Sequence, residues 1–322
     1  MIEHPGVDYE KALVAIAAYG LPGSVTELPS GPYHDDEWTR LVGMCRTHSL
    51  LGMLSAAGHA GDTALSPQQI EELEALEQQL EERVALLEGE AVRASERLSQ
   101  RGVSHRLLGG LPLRSYYRSP QLRSDVPDSM LLVEPEAADA TSTPDTVESE
   151  ALGTDCGGNQ PSIPVHTTIR AAGHSIDVAS FAGPPVTQEM AGRDVPTATS
   201  EEHLVVACMQ LDAQAPNPVA QRDIAELALS PGATAARVQL IAEAWEVTSL
   251  VTRALAQVWR RFELADRTEL SVWAARGESR LRGAYGPDTG TPGQVLRGRA
   301  RGAMDRLVRL GKAPTAMRRT PP

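Results

Sequence analysis

The chain has 322 residues, 41% of them hydrophobic, and a formal net charge of -12. This length allows about two ordinary domains, and the acidic balance argues against non-specific nucleic-acid binding by the whole protein. There is no apolar run long enough to span a bilayer and no signal-peptide core at the N-terminus. Cys45, Cys156 and Cys208 are too far apart for a disulfide framework or a zinc site. These features predict a cytoplasmic protein with reduced thiols.

Residues 1–101 are predicted to form an N-terminal helical region. Residues 8–60 suggest two or three short amphipathic helices separated by Gly/Pro turns. Ser66 and Pro67 then predict the start of a longer helix, with Ser as the N-cap. Apolar residues recur at spacings of three and four from Ile70 to Leu87, which predicts one apolar stripe. The stripe either packs on the domain core or, because its repeat is heptad-like, forms the seam of a homodimer.

Residues 102–195 show patterns typical of strands and are predicted to form a sheet domain. Strands are expected at 103–108, 129–133, 163–169 and 174–181, with the first two adjacent in one mixed sheet. Within this domain, residues 134–160 are polar, acidic and rich in Ser, Thr, Pro and Gly. This composition predicts either a mobile loop or an acidic flap that covers a site and faces a cationic partner.

The C-terminal part of the chain is predicted to be helical first and basic afterwards. Residues 196–275 form the predicted C-terminal helical region, which begins at a Ser200 cap, with helices near 218–229, 233–245 and 247–263. Residues 276–322 form a basic tail with eleven Arg or Lys residues against three acids. The fold-class prediction is therefore α/β (α+β), with a small mixed sheet flanked by N-terminal and C-terminal helical regions.

Residues 107–133 combine a strand, a Gly-Gly turn and a second strand with a carboxylate at its entrance. This order is similar to that of a bacterial family of uncharacterised nucleotidyltransferases in the polymerase-beta-like superfamily. The family's Leu-Lys-Gly appears here with Gly109 in place of Lys, and its Asp-Ile-Asp appears with Met130 in place of the second Asp. A later Asp-x-His element appears with Pro164 two residues before His166. The resemblance extends over most of the chain and implies a nucleotidyltransferase-like fold with a degenerate active-site motif.

The Gly turn, the entrance to the second strand and the two later strands should meet at one end of the sheet, where α/β-type folds usually leave a crevice. The candidate catalytic residues there are Asp125, Asp128, Asp177 and His166. Asp128 and Asp177 are the candidate metal ligands. An acid-x-acid pair on a strand suits two Mg²⁺ ions, because alternate residues point to the same side, whereas Met130 cannot bind a hard cation. Asp125 and Asp128 lie three residues apart across a proline, so the alternative is that they cap turns. The alternative for His166 is a hydrogen-bonded structural residue.

The candidate nucleotide-binding residues are the glycines of the turn and two nearby arginines: Gly109, Gly110, Arg114 and Arg123. Backbone N–H groups in a small-residue turn can approach a triphosphate, and arginine suits bidentate phosphate binding. In the alternative interpretation the glycines provide a positive φ for a plain strand-to-helix turn, and the arginines lie on solvated helix faces. An NTP and Mg²⁺ are the implied cofactors only where activity is retained.

Three functions from different classes fit the sequence. The first is a pseudoenzyme of a bacterial biosynthetic pathway, such as that of a peptide natural product, which binds a ligand or partner or uses non-ancestral chemistry. The second is an active metal-dependent nucleotidyl or phosphoryl transferase that uses Asp125, Asp128 and Asp177. The third is an adaptor that binds nucleic acid or peptide through the tail 276–322. The expected partners are a small-molecule or peptide ligand, another protein or a second copy of the chain, and no membrane.

Overall fold

The computed structural model describes residues 7–29, 31–135, 162–171, 173–181, 183–213 and 217–285. The chain divides into two compact units, residues 1–275 and 276–322. Apart from residues 134 and 135, the acidic segment 134–160 lies outside the described residues. The part of the basic tail beyond residue 285 also lies outside the described residues.

Three short helices occupy the N-terminal part, as the sequence predicts: α1 (Tyr9–Ala18), α2 (Asp35–Thr47) and α3 (Leu51–Ala60). The carboxylate of Asp8 caps α1 by accepting a hydrogen bond from the backbone N–H of Lys11. Each helix buries its apolar side in the main hydrophobic core, for example through Ile16, Leu41 and Met53. The burial of this apolar surface holds the N-terminal region on the rest of the protein.

The long helix α4 (Pro67–Gln100) begins where the sequence predicts. Ser66 accepts a hydrogen bond from the backbone N–H of Gln69, whose side chain accepts one from the backbone N–H of Ser66 in return. This capping box satisfies two of the donors that a helix leaves open at its start. Leu73, Val84 and Leu87 of the predicted stripe are buried, so the stripe packs on the core as the first interpretation expects.

The central sheet has five strands in the order β3-β2-β1-β7-β6. Strands β1 and β2 are antiparallel neighbours with Leu107 opposite Leu131, which confirms the predicted adjacency. Strand β7 is parallel to β1, and β3 is parallel to β2, so the sheet is mixed as predicted. The strand bounds are β1 (His105–Leu108), β2 (Met130–Val133), β3 (Val165–His166), β6 (Val186–Met190) and β7 (Arg193–Thr197).

A separate antiparallel pair, β4 (Thr168–Ala171) and β5 (His174–Asp177), lies beside the sheet. The strand predicted at 174–181 ends early, because the chain turns into a 3-10 helix at Val178–Ser180. The hairpin of β6 and β7 was not predicted. Only three of its ten residues, Met190, Val195 and Thr197, are buried, so the hairpin shows little of the alternation between apolar and polar residues that marks a half-buried strand.

The central sheet separates two hydrophobic clusters. Leu107 of β1 and Leu131 of β2 pack with the second half of α4, whereas the next residues, Leu108 and Leu132, pack in the main core. Successive residues of a strand point to opposite faces, so both faces of these two strands are covered. The helix α4 takes part in both clusters, since its Leu73 belongs to the main core and its later turns to the smaller cluster.

The C-terminal region is helical from Ser200 onward. Its helices are α6 (Ser200–Ala213), α7 (Pro218–Leu229), α8 (Ala235–Ala244), α9 (Thr248–Arg261) and α10 (Glu269–Tyr285). The helices predicted near 218–229, 233–245 and 247–263 are thereby confirmed. Among the described residues, no helix combines the length and the apolar character needed to cross a bilayer.

Candidate functional site

The predicted site lies at the β1–β2 junction, which we define as residues 109–110 together with residues 123–129. Gly109 has φ +86°, and a Cβ atom added there would lie 2.1 Å from the backbone oxygen of Asp128. A Cβ at Gly110 would lie 2.7 Å from a carboxylate oxygen of the same aspartate. The two glycines therefore allow a backbone approach that no other residue type would fit.

The short helix α5 (Gly110–Leu113) starts inside this junction. The backbone N–H of Leu111 donates a 2.9 Å hydrogen bond to the hydroxyl of Ser129. That hydroxyl in turn donates to the backbone oxygen of Val126. The backbone N–H of Leu111, in the first turn of α5, is thus already paired within the protein.

Arg123 is the central side chain of the junction and is only 1% exposed. Its Nε and Nη2 donate to the two carboxylate oxygens of Asp223 on α7, at 3.0 and 3.1 Å. Its Nη2 also donates to Oδ1 of Asp128 at 2.8 Å, and its Nη1 donates to the backbone oxygen of Asp125. The guanidinium group of Arg123 therefore donates four hydrogen bonds within the protein.

Burial and charge pairing together set the protonation of this cluster. Burial lowers the pKa of Arg123, but the attraction of Asp128 and Asp223 outweighs it and leaves that pKa above its ordinary value. Burial, followed by the negative charge of Asp223, raises the pKa of Tyr117, whose hydroxyl donates to that carboxylate at 2.5 Å. The cluster therefore contains a permanent cation and a neutral phenol, and both donate hydrogen bonds to Asp223, whose own pKa is raised by burial and lowered in part by the charge of Arg123.

The two acids of the predicted site each face a positive charge. Asp128 has 40% of its side chain exposed and pairs with Arg123. Asp125 accepts a hydrogen bond from the hydroxyl of Ser49 and lies 4.0 Å from Arg83. Met130, at the position of the family's second acid, is partly buried and packs against the main core. The position that an acid would need to share a metal with Asp128 is therefore filled by an apolar contact.

The second predicted arginine, Arg114, is held by α4 instead of the junction. Its Nη2 lies 2.8 Å from Glu81 and its Nη1 lies 3.6 Å from Glu88. Its Nε donates to the backbone oxygen of Pro120. Arg114 is 8% exposed, so its charge is offset by these acids and it is not the solvated helix-face arginine of the alternative interpretation.

The structure does not bring His166 and Asp177 to the junction. His166 is exposed on β3 and is paired with Leu132 of β2, whereas Asp128 lies in the turn before that strand. Asp177 belongs to the separate β4–β5 pair. Its carboxylate accepts hydrogen bonds from the backbone and the hydroxyl of Ser180 and so caps a 3-10 turn. Within the described residues, no three His, Cys, Asp or Glu side chains converge as a metal site would require.

Sequence reasoning missed the charged residues of α7 that complete the cluster. Arg222 is fully buried and donates to Glu226 at 2.9 Å and to the backbone oxygens of Ala17 and Tyr19. Asp223 follows it and binds Arg123. The signal was present: three charged residues at successive and i, i+4 positions interrupt the apolar helix α7. Charges in such a helix are paired when they are buried.

A second buried charge pair lies on the main-core side of β1. Arg106 and Glu202 approach to 3.6 Å with both side chains almost fully buried. The guanidinium group of Arg106 also stacks over the ring of Phe181 at 4.9 Å. The neighbouring His203 is 2% exposed, and burial, with a smaller contribution from Arg106, lowers its pKa to about 3. This histidine is therefore neutral at physiological pH.

A family model described as an uncharacterised nucleotidyltransferase matches residues 34–143, about one third of the chain. The matched range contains β1, the Gly109-Gly110 turn and β2, and the resemblance seen in the sequence is confirmed over these residues. The chain therefore contains a nucleotidyltransferase-like domain. His166, Asp177 and Asp223 lie beyond the matched range. Comparisons with curated proteins and with solved structures give no significant match.

Proposed function

We propose that this protein is a nucleotidyltransferase-like pseudoenzyme that binds a ligand or a partner and does not perform two-metal nucleotidyl transfer. The observation that carries the proposal is the pairing of Asp128 with the buried Arg123, next to Met130 in place of the second acid. Two Mg²⁺ ions need several oxygen ligands that are free to turn toward them. Here Asp128, the acid of the motif that this chain retains, already pairs with the cation Arg123.

The electrostatic cost of freeing Asp128 supports the same conclusion. Arg123 cannot leave the junction without also leaving Asp223, which is 4% exposed. Breaking one side of a buried ion pair typically costs about 3–5 kcal/mol, because the remaining charge is left without compensation. A metal ion that bound beside Arg123 would in addition repel the guanidinium charge. The cluster is thus better suited to join α7 to the sheet than to hold metal ions.

The test is label transfer from each of the four NTPs in the presence of Mg²⁺ or Mn²⁺, with cell extract as the source of acceptors. We expect no transfer above background. We also expect no rise in melting temperature with ATP and Mg²⁺, because a nucleotide that binds the folded state would stabilise it by mass action.

The matched variants are Asp128→Asn and Asp194→Asn. Each variant removes one carboxylate charge. Asp194 is exposed on β7, outside the junction, and serves as the control. Robust transfer that Asp128→Asn abolishes and Asp194→Asn leaves intact would overturn the proposal and establish the active transferase. A place in a bacterial biosynthetic pathway, such as that of a peptide natural product, is part of the proposal on the ground of the resemblance alone.

A further inference from the structure

A pocket of about 520 Å³ opens on a different part of the molecule. It lies between the first turns of α1, the extended segment 25–27 and the end of α9, and it shares no lining residue with the β1–β2 junction. Its volume falls in the range of roughly 300–1,000 Å³ that small-molecule sites occupy.

Two walls of this pocket are fixed to each other by backbone contacts. The hydroxyls of Ser24 and Thr26 both donate to the backbone oxygen of Phe262, at 3.0 and 3.2 Å. The backbone N–H of Ala265 donates to the oxygen of Gly23 at 2.9 Å. The segment before α2 and the end of α9 therefore keep their spacing without a ligand, so a ligand would meet a largely preformed surface.

Some charged groups of the pocket are already used by the protein. Asp8 caps α1, and Glu10 accepts a hydrogen bond from Nη2 of Arg261 at 3.2 Å. The remaining acids, Glu27 and Glu263, are exposed, and their carboxylates form no ion pair or hydrogen bond with the part of the chain that the structure describes. These two carboxylates are free to receive a cationic group.

One positive group in the same pocket is also unpaired. The side-chain amine of Lys11 has no ion-pair partner among the described residues. The guanidinium group of Arg261 pairs with Glu10, and its Nε is shielded from solvent, so Lys11 offers the more accessible positive charge. Val14 and Val25 supply apolar surface beside these groups, and Val25 is 63% exposed.

The spacing of the acids favours an organic ligand over a metal ion. Within the described residues no three acidic, His or Cys side chains converge closely enough to hold a metal. The lining carries four carboxylates against Lys11 and Arg261, so a ligand with net positive charge fits best. We propose that this pocket binds a basic amino acid, free or at the end of a peptide, with its cationic group on Glu27 and Glu263 and its carboxylate on Lys11.

Calorimetry on the full chain at low salt, with L-arginine as the probe, tests the proposal. We expect millimolar or tighter binding of L-arginine and none of L-glutamate. Agmatine, which is arginine without its carboxylate, should bind about tenfold more weakly, the equivalent of about 1.4 kcal/mol. Agmatine that binds as tightly as L-arginine, or L-arginine that does not bind at millimolar concentration, would overturn the proposal.

Three variants distinguish the acids that bind the cationic group of the ligand from the lysine that binds its carboxylate. Glu263→Gln should weaken both L-arginine and agmatine, whereas Lys11→Gln should weaken L-arginine and leave agmatine unchanged. Glu189→Gln, an exposed position on β6, removes the same charge elsewhere and should change neither. All three are surface substitutions, and their unfolding curves will show that the fold is kept. Equal affinities in all three variants would mean that L-arginine binds somewhere else.

Lys11 also offers a direct spectroscopic measurement, because the chain contains only two lysines, Lys11 and Lys312. Reductive methylation with carbon-13 gives each lysine its own resonance. L-arginine should shift the Lys11 resonance and leave that of Lys312 in place, and equal shifts of both would contradict the proposed site. The dipeptide Gly-Arg in the same titration distinguishes a peptide end from a free amino acid as the ligand. Tighter binding of Gly-Arg than of L-arginine identifies a peptide end, and weaker binding identifies the free amino acid.

Discussion

Substitution of Asp223 by Asn should strongly destabilise the fold. The change keeps the size of the side chain and removes the charge that accepts two hydrogen bonds from Arg123 and one from Tyr117. Arg123 is 1% exposed, and its other ionic partner, Asp128, is 40% exposed and therefore better solvated. The buried cation is left largely uncompensated, which typically costs about 3–5 kcal/mol.

Urea unfolding measures this loss directly. At roughly 2–4 °C per kcal/mol for a chain of this size class, the melting temperature should fall by about 10 °C. Asp194→Asn, the same chemical change at an exposed position on β7, is the control and should cost less than about 0.5 kcal/mol.

A double-mutant cycle with Arg123→Met tests the cause. If the cost comes from an uncompensated charge, the double variant will be less destabilised than the sum of the two single variants, by about 2 kcal/mol or more. Costs that add within about 0.5 kcal/mol, or a cost of Asp223→Asn that equals that of the control, would refute the assignment of this ion pair as the joint between α7 and the sheet.

Two further predictions concern the glycine turn and the buried histidine. Gly109→Ala should lower the free energy of unfolding in urea by about 3 kcal/mol or more, because it adds a clash with Asp128 to an unfavourable positive φ. The control is Gly102→Ala, which has φ +71° and open space around its Cβ, and it should lower that free energy by only about 1 kcal/mol. Equal losses in the two variants would contradict the close approach of Gly109 to Asp128. His203 is neutral in the folded state, with its pKa near 3, whereas the unfolded chain takes up its proton below about pH 6.5. The free energy of unfolding should therefore fall by about 2 kcal/mol as the pH is lowered from 7.5 to 5, and His203→Gln should remove most of that fall. An unchanged pH dependence in the variant would show that other groups cause it.

The helices and the central pair of strands could be predicted because their signals are local. The Ser66-Pro67 start of α4 depends on capping within one turn, and the first two strands are marked by short apolar runs on either side of a Gly-Gly turn. The exposed β6–β7 hairpin carries no comparable apolar pattern. Pro196 also argued against a central strand, yet it lies within β7 opposite Thr187.

The candidate site was harder to predict because its partners are far apart in sequence. The residues at the Gly109 turn and Asp128 were found from the motif, and the structure does place them together. The role of Arg123 depends on Asp223, one hundred residues later, and no local pattern links the two. The same holds for Arg114, whose partners lie on α4. The roles proposed for these residues remain predictions.

The hydrogen bond from Arg222 to the backbone oxygen of Tyr19 joins residues that are 203 positions apart. During synthesis at about 5–20 residues per second, Arg222 is added roughly 10–40 s after Tyr19. Throughout that interval the apolar side of α1, with Leu13 and Ile16, lacks the C-terminal helix that covers it in the finished protein. Such a chain is expected to be more prone to aggregate when translation stalls before residue 222.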